Sequence, residues 1–94
     1  PVIDFTDPGT PVDEGVLRAR DAMRTGLVED ALRTYAGLLD DTSLRPLIIA
    51  DLQTAVRLYP ADSAIWQALG DAYARNNQLA EALEAYDKAE ELLR

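Results

Sequence analysis

The chain contains no cysteine and no histidine in its 94 residues. Without cysteine there can be no disulfide framework, no thiolate metal site and no thiol nucleophile, and redox chemistry says nothing about compartment. Without histidine the usual acid–base and nucleophilic constellations lose their commonest member. No glycine-rich loop suits a phosphate, no apolar run approaches the roughly 18 residues of a membrane span, and the N-terminus has neither a basic segment nor a signal-type apolar stretch. Basic residues are also scarce: nine against 17 acidic ones give a formal net charge of -8, which opposes nucleic acid and anionic membrane as partners. The expectation is a non-enzymatic acidic protein with no cofactor, no metal, no nucleic acid and no membrane among its partners. Its compartment is unmarked except that the missing signal and membrane segments favour the cytoplasm.

What is present suits one small core. Hydrophobic residues make up 48% of the chain, and a domain of this length buries roughly 60 to 65% of the surface its unfolded chain exposes. The clearest plan lies in Ser63 to Arg94. Trp66, Leu69, Gly70 and Tyr73 recur at three- and four-residue steps, as do Leu79, Ala82, Leu83, Tyr86, Ala89 and Leu93. Two helices are expected, each with one apolar stripe, the stripes facing each other. Arg75-Asn76-Asn77-Gln78 between them is polar and includes Asn, which tolerates the left-handed geometry that closes a helix. Glu84 with Lys88, and Glu90 with Arg94, have the spacing of exposed helical ion pairs. The adjacent carboxylates Asp40-Asp41 and Glu90-Glu91 read as a loop and a solvated helix face, because a general acid needs a pocket that raises its pKa.

The run Trp66, Leu69-Gly70, Tyr73, Ala82, Tyr86, Ala89 resembles the tetratricopeptide repeat, whose signature is W-x2-L-G-x2-Y followed by A-x3-F, with Pro near the unit boundary. Gly70 and Ala82 are small where two helices would cross, and Trp66, Tyr73 and Tyr86 can fill the space beside them. Stepping back by the family's 34-residue period carries Trp66 to Leu32, Gly70 to Ala36, Tyr73 to Leu39, Tyr86 to Leu52 and Ala89 to Ala55, with Pro60 at the boundary. Ala82 lands on the larger Ile48, which predicts a wider helix crossing there. Residues 29–62 therefore read as a second, degenerate unit before the repeat at 63–94. A competing register matches Gly26 to Tyr35 with Asn77 to Tyr86; the register ending at Pro60 needs no insertion and is preferred.

Residues 1–12, PVIDFTDPGTPV, read as an extended N-terminal arm, since Pro1, Pro8, Gly9 and Pro11 oppose helix. Val2, Ile3 and Phe5 on that arm either pack on the chain's own first helix, mark the trimmed end of a longer linker, or dock on a neighbouring molecule. A chain that begins at Pro1 is read as processed or cut from a longer polypeptide. Residues 13–94 form the helical domain: a helix over 13–25 capped by Asp13 and stopped by Gly26, one from about Leu27 to Leu39, and one from Leu44 to Tyr59 capped by Ser43 with Pro46 in its first turn. The stripe of that third helix, Leu44, Leu47, Ile48, Ile49, Leu52, Ala55, Val56 and Leu58, is too wide for one contact and predicts the most buried helix. The fold expected is all-α, a short right-handed α-solenoid of antiparallel helix hairpins, about five helices in all.

The resemblance implies a concave groove lined by the first helix of each repeat. Carried onto this chain, the groove presents Ala64, Gln67, Asp71, Ala74 and Arg75 from the last repeat and Asp30, Arg33 and Gly37 from the one before. Gln67 and Asp71 do not fit the Lys, Arg and Asn clamp with which family members grip a terminal carboxylate. The function expected is a protein–protein interaction module of bacterial type, a scaffold or adaptor binding a peptide or helix of a partner. The alternative is a self-assembling structural protein whose solenoid ends and arm join it into a homo-oligomer or filament.

Overall fold

The computed structural model describes residues 13–94; the arm expected over 1–12, with Val2, Ile3 and Phe5, lies outside the described residues. Those described are helical and contain no strand: α1 (Glu14–Arg24), α2 (Val28–Leu38), α3 (Arg45–Leu58), α4 (Ser63–Arg75) and α5 (Leu79–Leu92). No helix among them is long and apolar enough to cross a membrane.

The starts and stops follow local chemistry. Asp13 is extended, and its carboxylate accepts from the Val16 amide at 3.0 Å; Asp62 caps α4 in the same way through Ala64. Gly26 closes α1 at φ +87°, and Asn77 closes α4 at φ +66°, a region where Gly and Asn meet little steric cost. The two turns share one hydrogen-bond plan: Leu27 N–H donates to the Ala22 carbonyl, and Gln78 N–H to that of Tyr73, both at 2.8 Å. Pro46 sits in the first turn of α3 as expected. Ser43 does not cap α3. Its amide and hydroxyl both donate to Asp41 Oδ1, so the short side chain is spent on the loop, and the Ser43 hydroxyl holds the Asp41 carboxyl below the usual carboxylate range.

Consecutive helices pack closely in the pairs α1/α2, α3/α4 and α4/α5, and alternate helices meet in the pairs α1/α3 and α2/α4. This is the layout of a short helical solenoid. The α2/α3 pair is not among the closely packed ones. Tyr35 on α2 and Ile48 and Leu52 on α3 are all buried, and Ile48 stands one 34-residue step before Ala82 of α5. Gly70, without a Cβ, leaves room for the Tyr86 ring and lets α4 and α5 close on each other.

Leu39, Ile48, Ile49, Leu52, Ala55, Val56, Ile65, Leu69 and Ala72 form the centre of the core. The third helix supplies more buried residues than any other, yet its stripe ends early, because Leu58 is 65% exposed. A larger departure concerns α5. Ala82, Ala85 and Ala89 face inward, but Leu79, Leu83 and Leu93, expected on the buried stripe, are exposed. As the last helix described, α5 has a neighbour on one side only, and that neighbour covers the alanines. Lys88 pairs with Glu91 at 3.9 Å instead of the expected Glu84, while Arg94 meets Glu90 as expected at 2.7 Å.

The glycines give a paired test of the α4/α5 crossing. A Cβ on Gly70 would lie 2.6 Å from two ring atoms of Tyr86, while a Cβ on Gly37 would meet nothing within 4 Å. Gly37→Ala should raise stability by about 0.5–1 kcal/mol through helix propensity. Gly70→Ala should forfeit that gain and lower stability by about 1–3 kcal/mol, since the ring must shift. Parallel thermal melts check the opposite signs.

Candidate functional site

Helices α2 and α4 run in the same direction, one 34-residue step apart. Their first turns share a surface depression of about 520 Å³ lined by Glu29, Asp30, Asp62 and Ala64. Beyond their last turns Arg75 forms an ion pair with Asp40. All eight groove residues expected from the sequence lie on these two helices. Asp30, Arg33, Gly37, Ala64, Gln67, Asp71 and Arg75 are exposed and Ala74 is half-buried. The depression brings Asp30 and Ala64 together.

The charges on this face are mostly spoken for within the molecule. Arg33 donates to Asp30 at 3.1 Å, Arg75 to Asp40, and the Tyr86 hydroxyl to Asp71. Exposed pairs of this kind contribute ~0–1 kcal/mol, so an incoming ligand can displace them at low cost. The Asp71 carboxylate, with partial burial, pushes the Tyr86 phenol up to about 12. Tyr35 is shifted the same way, first by burial and then by its bond to Asp51. A tyrosine that keeps its proton more tightly when folded contributes stability below its ordinary pKa of about 10 and loses that contribution as pH rises through the folded value. Stability should therefore fall between about pH 10 and 12, and Tyr86→Phe should flatten part of that fall in melts recorded across this range.

A second face was not foreseen. Helices α1 and α3 enclose a cleft of about 390 Å³, walled by Arg20, Met23 and Arg24 on one side and by Ala55, Leu58 and Tyr59 on the other. Its floor is a polar cluster. Arg20 donates through Nε and a terminal nitrogen to the two oxygens of Asp51, at 2.8 and 3.1 Å, and the Tyr35 hydroxyl donates to the same carboxylate at 2.8 Å. Asp51 raises the pKa of the Arg20 guanidinium further. The cluster ties three helices together where α2 and α3 stand apart. The over-wide apolar stripe ending at Leu58 was the one sequence signal for this cleft; Arg20, Tyr35 and Asp51 follow no motif.

Among the described residues no group of three or more acidic side chains is placed to hold a metal ion, and no buried side-chain nitrogen or oxygen lacks a hydrogen-bond partner.

Comparison with known proteins agrees on the helical character. The model of the bacterial transcriptional activator domain (BTAD) matches residues 43–94, just over half the chain. A stretch of 41 residues is 42% identical to Superkiller protein 3 of Schizosaccharomyces pombe, covering 44% of this chain and 3% of that protein's length. No solved structure matches the chain.

Proposed function

Since the chain belongs to the bacterial transcriptional activator domain family, we propose that it is a protein-interaction module of tetratricopeptide type, holding a peptide or helix of a partner against its α2/α4 face. The single observation that carries this reading is that α2 and α4 lie parallel and in step, with Asp30 beside Ala64 and Asp40 paired to Arg75. Such an arrangement exposes one continuous strip of side chains. In this reading the helical domain (13–94) has repeats at 29–62 and 63–94, and α2 serves both α1 and α4. The net charge of -8 opposes a phosphate backbone, so the contact made by this chain is with protein. It acts without catalysis of its own.

The test is a capture experiment with the 94-residue chain as bait. Arg33→Ala combined with Gln67→Ala should weaken a captured partner about tenfold or more, as loss of contact residues does, while shifting the melting temperature little because both positions are exposed. Undiminished capture by the double variant would move the contact off the α2/α4 face.

A further inference from the structure

Among the described residues, the α1/α3 cleft and the outer edge of α5 are two of the apolar surfaces left uncovered, a third being the depression that holds Leu17 and Leu27. Leu58 is 65% and Tyr59 39% exposed at the cleft, and Leu79 and Leu83 are 61% and 64% exposed on α5. Leu79 and Leu83 are four residues apart and so share one edge of the helix, which Asp87 and Glu90 continue.

The two surfaces also differ in charge. Helices α1 and α3 carry Arg18, Arg20, Arg24, Arg45 and Arg57 against Glu14, Asp21 and Asp51, an excess of two positive charges in a chain whose total is strongly negative. Helix α5 carries Glu81, Glu84, Asp87, Glu90 and Glu91 against Lys88, an excess of four negative charges. At the cleft itself the lining charges are Arg20 and Arg24 against Asp51; Arg20 is held by Asp51 and Arg24 by the exposed Asp21, so Arg24 is the cation at the edge that complements the carboxylates of α5.

We propose that the α1/α3 cleft of one molecule receives the Leu79 and Leu83 edge of α5 from a second copy of this chain. Leu79 and Leu83 enter between Met23, Leu58 and Tyr59, and the Asp87 carboxylate meets Arg24 at the rim. The cleft volume of about 390 Å³ suits a few side chains and not a whole helix. Pairing α5 with α5 instead would bring two acidic helices together, which like-charge repulsion opposes. The interface is head-to-tail, so each molecule keeps one free cleft and one free edge, and assembly continues until a ring closes or material runs out. It is independent of the partner read onto α2 and α4.

The test is light scattering on the 94-residue chain over a range of concentrations. The unsubstituted chain should grow in mean mass with concentration beyond a dimer. Association should weaken when ionic strength rises from about 0.1 M to about 1 M, where the screening length falls from about 10 Å to about 3 Å. Leu83→Asp removes the edge and Leu58→Asp blocks the cleft. Each variant alone should stay monomeric, and a mixture of the two should form a one-to-one dimer that grows no further, since only one complementary pair of surfaces survives. Both positions are exposed, and matching melting curves establish that the variants are folded; Leu83→Ser and Leu58→Ser replace them if either aspartate variant melts early. An unsubstituted chain that stays monomeric at every concentration overturns the proposal. So does a Leu58→Asp chain that associates normally, which would mean α5 pairs with itself, or a mixture of the two variants that stays monomeric.

Discussion

Replacing Leu52 with alanine lowers the free energy of unfolding by about 2–5 kcal/mol. Leu52 is 1% exposed, on the helix that contributes most to the core, and belongs to one buried cluster with Ile48, Ile49 and Ile65. Truncation there removes the transfer energy of the lost carbons and leaves a void that surrounding helices fill only in part. Against the total of about 5–15 kcal/mol typical of small domains, the loss is a large share. Urea denaturation should show a lower midpoint with an unchanged slope. Leu58→Ala on the same helix, 65% exposed, should stay within about 0.5 kcal/mol of the parent. Equal effects at the two positions would contradict the burial that separates them.

Asp51→Ala is expected to cost about 2–3 kcal/mol, the range for losing hydrogen bonds to a charged group. The carboxylate takes three hydrogen bonds, two from Arg20 on α1 and one from Tyr35 on α2. Its side chain is 15% exposed while that of Arg20 is 46% exposed, so solvent recovers part of the arginine's solvation but not that of the buried Tyr35 hydroxyl. Tyr35→Phe should cost about 1 kcal/mol, since Asp51 keeps Arg20. A double-mutant cycle on Arg20 and Asp51 measures the coupling. If Asp51→Ala melts with the parent, the cluster does not hold α1, α2 and α3 together.

The α4/α5 hairpin was legible because its signature alternates small and large side chains at a crossing: Gly70 and Ala82 are buried, and the Tyr86 ring fills the space a Cβ at Gly70 would need. Trp66 donates its indole N–H to the Pro60 carbonyl at 2.9 Å, which ties the boundary proline to the first signature residue. The five-helix layout could likewise be read from periodicity. Three features could not. Periodicity marks Leu79, Leu83 and Leu93 as members of a stripe but does not say how much of the stripe a neighbour covers. Ser43 has the chemistry of a helix cap, yet the Asp41 side chain two residues earlier competes for it locally. The Arg20, Tyr35 and Asp51 cluster joins residues as much as 31 positions apart in sequence, and it forms only because α1 and α3 lie side by side. Of the candidate contact surfaces, the α2/α4 face could be proposed from the family resemblance, whereas the α1/α3 cleft exists only in three dimensions.

The separation of charge between α1/α3 and α5 gives the helical stack a permanent electric moment directed between those helices. A positively charged sensor chip or chromatographic resin should therefore capture it by the carboxylates of α5 and leave the arginine side facing the buffer. Immobilisation of that kind would orient the whole population one way up.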